Sequence, residues 1–314
     1  MTRPRILAIV GATATGKSAL AMELAERFEG EIVSIDAYAV YRGMDVGTAK
    51  PSAEERERVP HHLIDVTDPD DTMTLARFLE EAQGALDDIW ARSRLPVLAG
   101  GSGQYLWALL EGWQVPRVTP DLALRDELEA LAIAKGPLAV HERLIAIDPQ
   151  AAARLDAMNT RRVIRALEVV THTGLPLSVC QTRHAIDADV LIFGLRVERE
   201  EHIRHLDQRV DAMFAHGFVE EVEHLRAAGY GNATPVRGGV GYKQIGAYVD
   251  GEIDLPEAIQ RTKFANHKLA RNQAAWFKSD DTRIEWLEAL SSPFESATER
   301  VERWLAGELD GPSI

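Results

Sequence analysis

Cysteine is nearly absent from the chain. The single Cys180 excludes an intramolecular disulfide and a cysteine-rich zinc site, and it suits a reducing, cytoplasmic setting. Long apolar runs are missing too. Met1-Thr-Arg-Pro-Arg leads into only Ile6 to Val10, too short for a secretion-signal core or a membrane span, so no membrane partner is expected. Net positive charge is also lacking. The 35 Lys and Arg face 49 Asp and Glu, a balance of −14. Taken alone, that sum argues against nucleic acid, because phosphates are held by clustered cations. Internal repeats and low-complexity stretches are likewise absent.

Where the charges lie matters more than their sum. From Ala258 to Ser279 there is no Asp or Glu, while Arg261, Lys263, Lys268, Arg271 and Lys278 are present. Arg161, Arg162 and Arg165 form a second basic cluster. Each reads alone as a solvated helix face, yet an acidic protein with two such surfaces can bind RNA there.

A length of 314 residues suggests two structural units and a sizeable core. The chain opens with alternating strand and helix. Ile6 to Val10 reads as a buried parallel strand, Ser18 to Phe28 as a helix, and Glu31 to Ile35 as a second strand. Leu75 to Trp90 reads as a helix, Pro96 to Ala99 and Asp189 to Val197 as strands. This order implies an α/β, P-loop NTPase-like parallel sheet covered by helices on both faces. Between Pro116 and about Ile186 only helices are expected. Pro120-Asp121 opens one, Gly136-Pro137 ends it and begins another, and Asn159 caps a third that stops at Gly174. The expected division is a catalytic core of residues 1–118 and 187–314 around an all-helical insertion of residues 119–186. Helices follow from His202 to Phe214, Val219 to Ala228 and Pro256 to about Phe277. The Glu-rich stretch beyond Asp280 reads as an amphipathic closing segment.

Gly11-Ala-Thr-Ala-Thr-Gly16-Lys17-Ser18 fits G-x-x-x-x-G-K-[ST] directly after a strand and at the start of a helix, the context the motif needs. Backbone N–H groups of Gly11, Thr13, Ala14, Thr15 and Gly16 can curl around an anion at a helix N-terminus. Lys17 supplies charge, and the Ser18 hydroxyl is placed to help hold Mg²⁺. The motif specifies a polyphosphate, not which one. Asp36 follows the second strand, and ligands of open α/β sheets bind at strand carboxyl ends. It reads either as a carboxylate in the same crevice or as a turn residue. His61-His62 reads as a structural loop pair or as metal ligands, with no third ligand spaced nearby. Trp276-Phe277 reads as a base-stacking pair or as core.

Several further motifs resemble bacterial tRNA dimethylallyltransferases, in order and over nearly the whole chain. They are the phosphate loop, Asp36 to Pro51, Pro60 to Asp65, Gly100 to Tyr105, Arg162 to Glu168, Val240 to Gln244 and Ala270 to Phe277. The resemblance implies that the loop holds dimethylallyl diphosphate with Mg²⁺. Asp36 would then be general base on an exocyclic adenine amine, Lys17 would steady the departing diphosphate, and Ser102 would position the amine. It implies tRNA contacts, through the anticodon stem-loop, by Asp36, Ala37, Tyr38, Ala39, Ser102, Arg125, Arg161, Arg162, Val163, Ile164, Arg165, Gly238, Gly241, Tyr242, Lys243, Arg271 and Lys278. A monomer is expected. Gly229 to Gly246, otherwise a plain linker, becomes a substrate-touching loop. Ala37, Ala39 and Asn272 stand where the family usually has Ser, Gln and Arg, and Ser102 where it usually has Thr. Two other readings remain. A P-loop kinase for a small metabolite needs neither the insertion nor the basic helix. An inactive tRNA-binding relic would not need Asp36 and Lys17.

Overall fold

The first strand, β1 (Arg5–Val10), shows only apolar residues at its centre, as a strand covered on both faces must. In the computed structural model, which describes residues 3–119, 121–180, 182–312 and 314, it lies inside a six-stranded, wholly parallel sheet. Met1 and Thr2 of the N-terminal reading and Pro120 of the expected helix start lie outside the described residues. The elements that follow are α1 (Lys17–Arg27), β2 (Gly30–Ser34), α2 (Ala53–Arg58), β3 (His61–His62), α3 (Leu75–Ala91), β4 (Leu95–Gly100) and α4 (Gly103–Leu110).

Residues Glu111–Ala185 form a separate compact unit. It holds α5 (Leu122–Lys135), α6 (Pro137–Ile147), α7 (Pro149–Arg154), α8 (Thr160–Thr173) and α9 (Leu177–Cys180). Asp121 caps α5 by accepting from Leu124 N, and Asn159 caps α8 by accepting from Arg162 N. Gly136, with φ 87°, both ends α5 and precedes Pro137. The unit begins before residue 119 because its entering and leaving segments pair, Gln114 N donating to Thr182 O at 2.9 Å and His184 N to Gly112 O at 3.0 Å.

The chain returns through β5 (Asp189–Arg196), α10 (Arg199–Ala215) and α11 (Phe218–Ala227). After a 3₁₀ turn at Tyr230–Asn232 come α12 (Thr234–Gly238), α13 (Tyr242–Val249) and α14 (Leu255–Ala274), then β6 (Glu285–Glu288) and α15 (Pro293–Leu305). The strand order is β3-β2-β4-β1-β5-β6. One stretch differs from the sequence reading. Gly229 to Gly246 is mostly helical, with Gly239 and Gly241 at the gap between α12 and α13 rather than in a linker. The Glu-rich end is the amphipathic closing segment expected: Ala297, Val301 and Trp304 are fully buried against the sheet, and Trp304 Nε1 donates to Asp189 at 2.7 Å. A buried Trp removes about 150–250 Å² from water, which outweighs the acidic outer face of its helix.

Candidate active site

The strand order places the site. β4 lies between β1 and β2, so the three carboxyl ends stand side by side. The phosphate loop leaves β1, Asp36 leaves β2, and Ser102 leaves β4. Ser102 N donates to Ile35 O at 3.2 Å, tying the third end to the second.

Gly11 and Gly16 have φ of 139° and 90°, left-handed backbone that the loop's curl requires. A Cβ on Gly11 would lie 2.6 Å from Leu195 O. α1 starts at Lys17 with no side-chain cap, leaving its first N–H groups for an anion. Lys17 is buried, its Nζ resting on Ala12 O at 2.6 Å. Burial first, and the Arg209 guanidinium second, pull its pKa down to about 7, with Asp36 opposing them. A polyphosphate would supply the negative charge this ammonium lacks. The Ser18 hydroxyl is exposed and makes no hydrogen bond among the described residues. An unclaimed oxygen at this position fits Mg²⁺ that takes its remaining ligands from phosphate and water.

Asp36 uses one oxygen locally. Its Oδ1 accepts from Tyr38 N at 2.7 Å and Ala39 N at 3.1 Å, an Asx-type turn. Its Oδ2 makes no hydrogen bond among the described residues. The turn thus occupies one carboxylate oxygen and leaves the other without a hydrogen bond among the described residues. Ser102 Oγ accepts from Ala37 N at 3.2 Å, which leaves its own proton free to donate.

Three functional candidates had no role assigned from the sequence. Arg209 has a buried Nε without a partner and one long hydrogen bond, Nη2 to Thr48 O at 3.4 Å. Burial lowers its pKa and Asp36 opposes the shift. It lines a cavity of about 470 Å³ with Ala14, Thr15 and Gly16, and a second of about 620 Å³ with Val46, Lys50 and Met213. A guanidinium with an unpartnered N–H beside the phosphate loop has the donors to bind an anion's oxygens. His202, seven residues earlier on α10, places Nε2 2.8 Å from Thr13 O. Gln273 of α14 accepts from Thr13 N at 2.7 Å. The only sequence signal was the seven-residue spacing that puts His202 and Arg209 on one helix face.

The other named residues fall into distinct settings. Arg161, Arg162, Gly238, Lys243, Arg271 and Lys278 are exposed. Lys268, Arg271 and Lys278 make no ion pair among the described residues, whereas Arg261 pairs with Glu257 and Lys263 with Asp211. Arg125 and Arg165 both grip Glu168, which is fully buried and also accepts from Asp121 N at 2.7 Å. Burial alone would raise the Glu168 pKa, but the hydrogen bonds from Arg125, Arg165 and Asp121 N outweigh it and hold it at about 2. Val163 and Ile164 take no surface position. Their side chains sit in the helical unit's core, so the exposed basic character of this stretch rests on Arg161 and Arg162. Tyr242 and Ala39 are also buried. The Tyr242 hydroxyl donates to Glu221, which in turn accepts from Asp45 N, Val46 N and Gly47 N, so this tyrosine shapes the loop after Asp36. Gly241, at φ 86°, lies against the Phe218 ring. Phe277 is core and Trp276 is partly exposed, packed over Gly103. His62 bonds Glu31 and His61 bonds Val59 O. Among the described residues no three His, Cys, Asp or Glu side chains are grouped as metal ligands.

Fold and site together define a class: a parallel α/β protein with a phosphate loop after its first strand and an unspent carboxylate after its second. Within that class the chain belongs to the IPP transferase family, whose model matches residues 39–280, while an isopentenyl transferase model matches residues 4–67. A tRNA dimethylallyltransferase of Thermomicrobium roseum is 46% identical over 309 residues, 98% of this chain and 94% of that one. A crystal structure of the tRNA isopentenylpyrophosphate transferase of Bacillus halodurans is 36% identical with TM-score 0.70, covering 98% of this chain and 96% of that one. A eukaryotic dimethylallyltransferase caught acting on tRNA is 27% identical with TM-score 0.82, covering 98% of this chain and 80% of that one. The family resemblance read from the ordered motifs holds. Among the described residues no helix is long and apolar enough to cross a membrane.

Proposed function

We propose that this chain transfers the dimethylallyl group of dimethylallyl diphosphate to the exocyclic N6 amine of the adenosine 3′-adjacent to a tRNA anticodon, releasing diphosphate. The observation that carries this reading is the free Oδ2 of Asp36, after the end of β2, near the charges of Lys17 and Arg209 and next to Ala37, whose N–H the Ser102 hydroxyl accepts.

The adenine amine is a weak nucleophile, its lone pair delocalised into the ring. As nitrogen bonds to C1 of the prenyl group, the C1–O bond breaks and its electrons leave on the diphosphate. Asp36 Oδ2 takes the amine proton, assistance typically worth about a hundred- to ten-thousand-fold. Ser102 Oγ–H is free to orient the base. Lys17, Arg209 and the loop N–H groups other than that of Thr13, which Gln273 already accepts, meet the charge that grows on the leaving group. Mg²⁺ on the Ser18 hydroxyl would neutralise part of that charge. The target base has to leave its stack to reach the crevice. Arg161 and Arg162 on the helical unit, and Lys243, Arg271 and Lys278 on the core, offer cations to the anticodon stem-loop phosphates. The reaction belongs to the cytoplasm, where tRNA is processed.

The donor decides between transferase and kinase. With an anticodon stem-loop and dimethylallyl diphosphate, diphosphate release should accompany RNA modification, and ATP should support no turnover. ADP released in step with product would overturn the reading.

A further inference from the structure

Ala14 lies in the middle of the phosphate loop with φ 63°, a left-handed conformation that a residue with a Cβ keeps only where its surroundings enforce it. The enforcement falls on the preceding residue. Thr13 N–H donates to Gln273 Oε1 at 2.7 Å, and Thr13 C=O lies 2.8 Å from His202 Nε2. Because the Thr13 amide is a donor and its carbonyl an acceptor, the partner atoms are fixed as the Gln273 oxygen and a protonated His202 nitrogen. Both polar groups of Thr13 are thereby spent on side chains of α14 and α10, which tie the loop to those two helices.

Gln273 also touches the acceptor side. A Cβ built on Gly101 would lie 2.4 Å from Gln273 Nε2, so the amide fits only because residue 101 has no side chain. The next residue is Ser102, and Gln273 itself comes two residues after the exposed Arg271 at the end of α14. One amide therefore spans the donor loop, the Gly101-Ser102 turn and the basic helix.

We infer that Gln273 is a positioning residue that sets the phosphate loop for the donor, through the Thr13 peptide, from the helix that faces RNA. This rests on the reading of Gly11–Ser18 as the diphosphate cradle. It is not a contact to donor or base, so it should act on diphosphate affinity while leaving RNA affinity alone.

The test is a double-mutant cycle on the full chain, with inorganic diphosphate as the probe. Gln273→Met keeps the length of the side chain and removes the acceptor. Gly101→Ala leaves Gln273 in place but pushes its amide away from the turn. Each should weaken inorganic diphosphate binding about tenfold, the weight of one positioned hydrogen bond. Each should leave the melting temperature and the anticodon stem-loop Kd unchanged, and the double variant should lose no more than either single one. Unchanged diphosphate affinity in Gln273→Met, or additive losses in the double variant, would overturn the inference. So would a parallel fall in melting temperature and RNA affinity, which marks ordinary packing. If the unaltered protein itself fails to bind inorganic diphosphate, the cradle reading fails first and the inference falls with it.

Discussion

At the scale of single residues, the site is a set of side chains left electrostatically incomplete. Asp36 spends one oxygen on its own turn and keeps the other. Lys17 and Arg209 are cations sunk together beside it without full partners. Such a site costs stability, and the cost is measurable. Lys17 has a folded pKa of about 7 against an ordinary 10.5. The folded donor-free protein therefore binds fewer protons than the unfolded chain between those values, and stability rises with pH across that window. Lys17→Met should accordingly raise the melting temperature of the donor-free protein at pH 6, and the gain should shrink as pH climbs from 7 toward 10. A gain independent of pH would mean the ammonium is not desolvated. Asp36→Asn keeps the turn oxygen and removes the basic one. Single-turnover transfer should fall about a hundredfold or more with the melting temperature nearly unchanged. A loss of about 1 kcal/mol in stability with near-normal turnover would reduce Asp36 to its turn. Gly11, Lys17, Ser18 and Asp36 were legible from the sequence because loop motif and strand end announce them. Arg209 and His202 were not, since they reach the loop from a helix distant in sequence and nothing local marks them; Gln273 lies within the Ala270 to Phe277 motif, but the motif does not show that its side chain reaches the loop.

At the scale of elements, periodicity gave the long helices and the inner strands. β1 and β5 are apolar along their centres, and α5, α6 and α8 carry their own start and stop residues in Asp121, Gly136 and Asn159. Short elements escaped because their stability comes from neighbours. β3 is two residues held by pairing with β2. Gly229 to Gly246 misled because its glycines serve close packing as well as turns, Gly241 lying against Phe218. In α8, charge pattern alone did not show that Arg165 turns inward to Glu168 while Arg161 and Arg162 stay out. Glu168→Gln should loosen this helical unit by about 2 kcal/mol, tempered by the partial exposure of both arginines. The Glu168 pKa is held at about 2 against an ordinary 4.5. Its contribution is therefore complete above pH 4.5 and lost as pH falls toward 2, so the deficit of the variant should close over that range. Hydrogen exchange confined to Glu111–Ala185 in the full chain would show it. An equal deficit at both ends of the range would contradict the ion-pair account.

At the scale of the whole molecule, an acidic protein handles a polyanion by grouping its cations and leaving the acids elsewhere. The acid-free run from Ala258 to Ser279 and the arginines at the start of α8 lie in different units of the chain, while Lys17 and Arg209 are buried beside Asp36. The net charge of −14 was the least informative number in the sequence, because it averages over this division. The central claim is that the cradle delivers a prenyl group, and not a phosphate, to one amine. The direct measurement uses donor labelled in the dimethylallyl carbons and two anticodon stem-loops. One carries adenosine 3′-adjacent to the anticodon, the other inosine, which lacks the exocyclic amine. The account predicts label in the adenosine RNA alone, one group per molecule, with unlabelled diphosphate in solution. Label in the inosine RNA, or RNA that gains phosphate and no label, would contradict it.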